Sequence, residues 1–268
     1  MREFTLEAAG YDFPAIETGT GVPILFVHGS ICDYRYWADD VADLGKDARA
    51  IALSRRHHWP CATQSVFTYN VEDQTDDVIA FAEALDVGPV HLVGHSYGGY
   101  LAAAVACKRP DLLTSLTLVE PGGPVEGQQL PQLMQEGSLK AIGMIQQGLV
   151  AEGIQFFHSS VTSSPKWHEL PEELRDQLIG NALTLPPQHF NPRPPLSIDQ
   201  LSSFDKPTLI MIGELTLSPF PEVAVRLNEL IPHSRLTRIA RAGHPLNRQN
   251  PEDFRAELRA FLNLGAHP

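Results

Sequence analysis

The sequence predicts an α/β protein: a mostly parallel central sheet flanked by helices, with a helical segment inserted between two core strands. Three observations predict it. Short apolar runs alternate with amphipathic stretches over most of the chain, a Gln-, Met-, Phe- and Pro-rich segment interrupts that alternation once, and the strand pattern resumes cleanly at Pro207. Strands buried on both faces read as continuous apolar runs. Their alternation with helices implies parallel pairing and helices on both faces of the sheet.

The predicted strands are PILFVHG (23–29), RAIALS (49–54), VHLVGHS (90–96), SLTLVEP (115–121), TLIMIGE (208–214) and RLTRIAR (235–241), mostly ending at Gly, Pro or a polar residue. Predicted helices cover 71–86, 97–110, 222–231 and 251–265. Acids in the first turn of 71–86 suit the helix dipole, and Pro110 ends the second helix. The last helix has proline near its start and glycine at its end. From Gly122 to Ser203 the chain carries helical patches, no convincing strand, and the stiff run LPPQHFNPRPPLS. This divides the chain into a core of 1–121 and 204–268 and a helical cap of 122–203. The plainer alternative is a pair of core helices with long loops.

At 268 residues and 43% hydrophobic, the chain can bury one substantial core. A formal charge of −12 argues against nucleic-acid and anionic-membrane partners, which need a positive footprint. Cys32, Cys61 and Cys107 are odd in number and widely spaced, so free thiols in a reducing compartment are expected rather than a disulfide frame or a zinc site. The start, MREFTLEAAGYDF, has no apolar leader, and no run of about 18 apolar residues occurs. A soluble, cytoplasmic protein without metal or cofactor is expected, its oligomeric state open to a homodimer.

The most specific motif is Gly94-His95-Ser96-Tyr97-Gly98, a G-x-S-x-G that follows an apolar strand and opens a small-residue helix. A strained strand-to-helix turn there would push the Ser96 hydroxyl out at the sheet's carboxyl edge. A serine needs a base, and imidazole suits neutral pH. His244 lies in the loop between the last predicted strand and the terminal helix, whereas His233 sits at a helix-to-strand junction and His267 in the tail.

From PILFVHGS through the serine turn to AGHPLNRQNPEDF, the chain resembles an α/β-hydrolase with a helical cap. That resemblance implies Ser96 as nucleophile, His244 as base, and an oxyanion hole formed by the amides of Ser30 and Tyr97. His28 would organise the HGS loop or touch substrate, His95 would pack beside the turn, and Trp37 would be structural. The family's usual acid is an aspartate after the strand matching TLIMIG, but Thr216 occupies that position. Two carboxylates remain in reach. Glu120, at the end of SLTLVEP, is the favoured acid, because some relatives (fungal lactonases acting on zearalenone) are similar in having a glutamate there. Glu214 is the local rival, and a Ser–His dyad assisted by Thr216 is the third option.

The implied reaction is hydrolysis of an ester or lactone through an acyl-enzyme. A serine at the turn argues against the branches with a carboxylate nucleophile. C–C or amide cleavage, acyl transfer, and a receptor with little turnover remain open on the same residues. Cap side chains, among them Met134, Met144, Ile145, Phe156, Phe157, Trp167 and Phe190, would form a pocket for an apolar group, with Ile31 and Leu217 contributing from the core. RRHHWPC, after the second strand, departs from the family pattern; it reads as an exposed loop, or less favourably as a cationic rim (Arg55, Arg56, His57, His58).

Overall fold

Eight strands form one sheet in the order β1-β2-β4-β3-β5-β6-β7-β8. The strands are β1 (Arg2–Ala8), β2 (Tyr11–Thr18), β3 (Pro23–Val27), β4 (Arg49–Leu53), β5 (Val90–His95), β6 (Leu113–Val119), β7 (Thr208–Gly213) and β8 (Ser234–Ile239). The computed structural model describes residues 1–61, 70–129, 133–162, 166–191 and 193–265, with backbone only for Val71 and residues 133–135. Pairing is parallel from β4 through β8 and antiparallel along β1-β2-β4.

The six predicted strands coincide with β3 to β8. The β1–β2 hairpin was not expected. Its two-residue loop, Ala9-Gly10, has positive φ at both residues (48° and 68°), the geometry that matches strand twist in a tight hairpin. The central strands present alternate residues to two cores. In β3, Leu25 and Val27 join one cluster while Ile24 and Phe26 join the other.

The helices of the core are α1 (Ala38–Leu44), α2 (Val71–Ala84) and α3 (Tyr97–Lys108). Between β6 and β7 lie α4 (Leu133–Gln146), α5 (Val150–Val161), α6 (Glu172–Gly180), α7 (Leu185–Phe190) and α8 (Ile198–Ser203). Among the described residues of that stretch, β pairing is limited to an isolated bridge between Val125 and Leu196. After β7 come α9 (Phe220–Leu230), α10 (Leu246–Gln249) and α11 (Pro251–Leu262). Apolar side chains of α2, α3 and α9 share one core cluster, and those of α1 and α11 share the other.

Parallel pairing has one consequence for chemistry. The carboxyl ends of β3, β5, β6, β7 and β8 all emerge along one edge, the place where open α/β sheets gather their reactive groups. His28, Ser96, Glu120, Thr216 and His244 follow those ends.

Candidate active site

Ser96 sits between β5 and α3 with φ 54° and ψ −114°, a strained conformation for a residue with a side chain. Two glycines make the turn fit. A Cβ at Gly94 would lie 2.2 Å from the carbonyl oxygen of Gly98, and one at Gly98 would lie 2.4 Å from that of Val27. The Ser96 amide donates to Val119 O (2.9 Å), and its carbonyl accepts from the amides of Tyr100 (3.1 Å) and Gly122 (3.2 Å). The backbone is thus pinned on both sides, and the half-buried side chain faces open space.

His244 follows β8, and its ring is buried against Phe220, the ring centres 4.0 Å apart. Its Nδ1 lies 3.3 Å from Oε2 of Glu120, a fully buried carboxylate at the end of β6. The Gly213 amide donates to Oε1 (2.5 Å), and the Thr216 hydroxyl donates to Oε2. Burial raises Glu120 to about 7, against the pull of the Thr216 and Gly213 donors. Burial also lowers His244 to about 3, assisted by His158, so its imidazole is neutral at neutral pH. A proton on Nδ1 directed at Glu120 leaves the Nε2 lone pair available. The His95 Nε2–H donates to the His244 carbonyl (2.9 Å), and the His95 ring stacks on Tyr36. Glu214, the rival carboxylate, points elsewhere: it is exposed, and its Oε2 accepts from the Arg241 amide (2.9 Å).

The HGS loop is held from beneath. His28 Nε2 accepts from the Arg55 amide (3.0 Å), and its Nδ1 faces Gly29 O (2.9 Å). The Arg55 guanidinium donates to Gly29 O (2.9 Å) and Gln74 Oε1 (2.5 Å) and lies over the Tyr97 ring. The reading of RRHHWPC as an exposed loop or cationic rim is therefore corrected: Arg55 and His58 are buried, and Arg56 pairs with Asp77. The signal was there in part, since a buried guanidinium needs acceptors and Gln74 opens the very next helix. Ser30 Oγ accepts from Gln188 Nε2 of α7 (2.6 Å), which ties the loop to the inserted helices.

Two cavities meet at Ser96. The first, of about 670 Å³, is lined by Ser30, Ile31, His95, Phe157, Leu174 and His244 among others. The second, of about 600 Å³, shares Ser30, Ser96 and Phe157 and adds Gln188, Arg193 and Phe220. Of the substrate contacts expected from sequence, Ile31 and Phe157 line a cavity. His28 is fully buried and lines neither, and Met144, Trp167 and Leu217 also lie outside both. Trp167 instead sets its ring edge-on to His158, and Trp37 packs in the core on Phe26. Phe190 lines the second cavity; the side chain of Met134 and all of His267 fall outside the described residues. Sequence reasoning missed Gln188, Arg193 and Phe220, which lie in stretches without a motif. Among the described residues, no cluster of His, Cys, Asp and Glu is placed to hold a metal ion, and no helix is long and apolar enough to cross a membrane.

Comparison with known proteins decides the family. The model of the alpha/beta hydrolase family matches residues 24–257. The chain belongs to the alpha/beta hydrolase family. An uncharacterised hydrolase of Bacillus subtilis, YugF, is 22% identical to this hydrolase over 269 residues, covering 98% of this chain and 97% of that one. The enol-lactonase of Burkholderia xenovorans superposes with a TM-score of 0.79 at 19% identity, over 97% of this chain and 99% of its own. A thermophilic esterase from Thermogutta terrifontis gives 0.77 at 24%, over 98% of each chain. At these identities the structural likeness of this family member is a likeness of fold.

Proposed function

We propose that this hydrolase cleaves a carboxylic ester or lactone through an acyl-enzyme on Ser96, with His244 as base and Glu120 as its acid. Ser96 Oγ attacks the carbonyl carbon while its proton passes to Nε2 of His244. The oxyanion lies against the amides of Ser30 and Tyr97, each such donor being worth about 10²- to 10³-fold in rate. The C–O bond then breaks, and the leaving oxygen takes the proton from His244 and departs as the alcohol. Water, deprotonated by the same imidazole, repeats the attack and releases the acid, restoring Ser96. Glu120 stabilises the imidazolium in both halves.

The observation that carries this reading is the contact of His244 Nδ1 with the buried Glu120 carboxylate, on the wall of a cavity that also holds the strained Ser96. The helices between β6 and β7 act as a cap, joined to the core by Gln188 on Ser30 and by Gln177 and Asn181 on Asp33. Three free cysteines suit a reducing location, the cytoplasm. The test is turnover of short-chain aryl esters and simple lactones, with acyl adducts followed by intact mass. Wild type turns over and Ser96→Ala does not; hydrolysis that survives Ser96→Ala defeats the reading.

A further inference from the structure

The first cavity holds a histidine that the proposed chemistry does not use. His158, in the third turn of α5, lines that cavity together with Ser96 and His244. The end of α5 packs against the loop that carries the base. One turn beyond His158, the Thr162 amide donates to the His158 carbonyl (3.1 Å). A Cβ built at Gly243, the residue before His244, would lie 3.7 Å from Thr162 Oγ1. The two imidazoles are close enough for a charge on one to oppose a charge on the other, and His158 is second only to burial in lowering His244.

Other polar groups of this wall near the nucleophile are engaged. Ser30 Oγ accepts from Gln188, the Tyr36 hydroxyl donates to Asn247, His95 Nε2 donates to the His244 carbonyl, and His244 Nδ1 faces Glu120. Among the described residues, His158 Nδ1 is buried with no hydrogen-bond partner. His95 Nδ1 and Arg248 Nε share that state, but His95 Nδ1 lies 3.0 Å from a Cβ built at Gly29, and Arg248 Nη2 donates to the carbonyls of Arg35 and Tyr36. The His158 ring is held edge-on by Trp167, the centres 5.8 Å apart.

The buried Nδ1 decides what this ring offers. Burial lowers the proton affinity of His158, so the imidazole is neutral at neutral pH and carries one proton. A buried N–H without an acceptor is the costlier orphan, and a bare lone pair the cheaper one. The proton therefore sits on Nε2, the ring nitrogen that is not sealed, and makes it a donor toward the cavity. His244 must protonate the leaving oxygen, and it lines this cavity but not the second, so the alcohol portion of an ester lies here. Resting on the ester-hydrolase reading above, we propose that His158 Nε2–H donates to an oxygen of the alcohol portion, two or three carbons beyond the leaving oxygen. His158 is then a specificity-determining residue that selects esters of oxygenated alcohols over esters of plain alkyl ones. An alkyl chain in the same place would cover the N–H without giving it an acceptor.

The test uses two matched pairs of esters: 2-methoxyethyl with butyl butanoate, and 3-methoxypropyl with pentyl butanoate. Within each pair one methylene becomes an ether oxygen and the chain length stays the same. The readout is the ratio of kcat/KM, oxygenated over alkyl, compared between proteins so that the intrinsic reactivity of each ester cancels. In at least one pair this ratio falls by about three- to tenfold in His158→Leu, the span expected for a neutral hydrogen bond. His158→Gln keeps an N–H donor, and its ratio stands nearer to wild type than to His158→Leu. A fall of less than about threefold in both pairs, or a His158→Gln ratio nearer to that of His158→Leu, overturns the inference while leaving ester hydrolysis standing. A binding measurement stands apart from turnover. Calorimetric titration of the two oxygenated esters into Ser96→Ala gives, for at least one of them, a Kd about three- to tenfold below that in Ser96→Ala/His158→Leu. A smaller difference for both esters overturns the proposal, whether or not the wild-type protein hydrolyses esters.

Discussion

Glu120 and His244 stand 124 residues apart in the chain and meet with Oε2 3.3 Å from Nδ1. The contact runs from the end of β6 to the loop after β8, so it passes the end of the intervening β7. The Gly213 amide at that end donates to the carboxylate, and so does the Thr216 hydroxyl. Threonine at the position where relatives are expected to carry aspartate therefore does not leave a gap. It supports a longer carboxylate that arrives from the neighbouring strand.

Glu120→Gln is expected to lower kcat/KM by about 10³- to 10⁴-fold, the loss that follows when a catalytic imidazole keeps its place without its carboxylate. Glu214→Gln should stay within about threefold, because its exposed carboxylate is engaged with the Arg241 amide. Steady-state kinetics on one ester decides between them. Comparable losses in both variants would remove Glu120 from the role proposed for it.

The Thr216 hydroxyl lowers the proton affinity of Glu120, in opposition to burial. Removing it in Thr216→Val lets burial act with less opposition, so the carboxyl holds its proton to higher pH. The acidic limb of the kcat/KM profile, a property of the Glu120–His244 pair, should then move upward relative to wild type. Profiles recorded from about pH 5 to 9 give the answer; an unmoved or lowered limb contradicts the coupling.

The same carboxylate is a liability for stability. Burial raises Glu120 from the ordinary 4.5 to about 7, so the folded chain binds this proton more tightly than the unfolded chain. Its stabilising effect is complete below 4.5 and is lost as pH rises through about 7, up to roughly 3 kcal/mol in all. Glutamine does not titrate. The Tm of Glu120→Gln minus that of wild type should therefore increase steadily from pH 5 to pH 8. A flat or falling difference in thermal melts would show that the Glu120 carboxyl is not held up by burial.

What could be read from sequence follows the physics of each element. The β3 to β7 strands were legible because both their faces are buried and their apolar runs are continuous, whereas β8, at the sheet's edge, showed itself by a mix of apolar and polar residues. The β1–β2 hairpin was not, since β1 alternates exposed and covered residues and Pro14 interrupts β2. Ser96 and His244 were marked by glycines and chain position, and Glu120 by its place at a strand end. Arg55 looked like a surface residue because no pattern in hydropathy shows a guanidinium finding Gln74, Gly29 O and the Tyr97 face. Arg193 could not be assigned to a cavity either, because no motif marks it and its place over the rings of Tyr97 and Tyr100 is set by tertiary packing.

Asp33 is where the core grips the inserted helices. Its carboxylate is fully buried and accepts from the Arg35 amide (3.0 Å) and guanidinium (2.7 and 2.9 Å), from Gln177 Nε2 (3.0 Å) and from Asn181 Nδ2 (2.8 Å). Asn181 in turn accepts from the Trp59 amide (2.8 Å), so α6 and the turn after it are bound to two loops of the core. Asp33→Ala leaves the buried Gln177 and Asn181 amides without this acceptor, while the partly exposed Arg35 guanidinium can turn to water. A buried polar donor left without its acceptor costs about 1 to 3 kcal/mol, and the denaturation midpoint should fall accordingly. Hydrogen exchange locates the damage: amides of α6 should lose protection while those of β5 and β6 keep theirs, because the sheet does not depend on Asp33. Uniform loss across sheet and insertion would instead make Asp33 a residue of the core alone, and an unchanged midpoint would show that the network contributes nothing to stability.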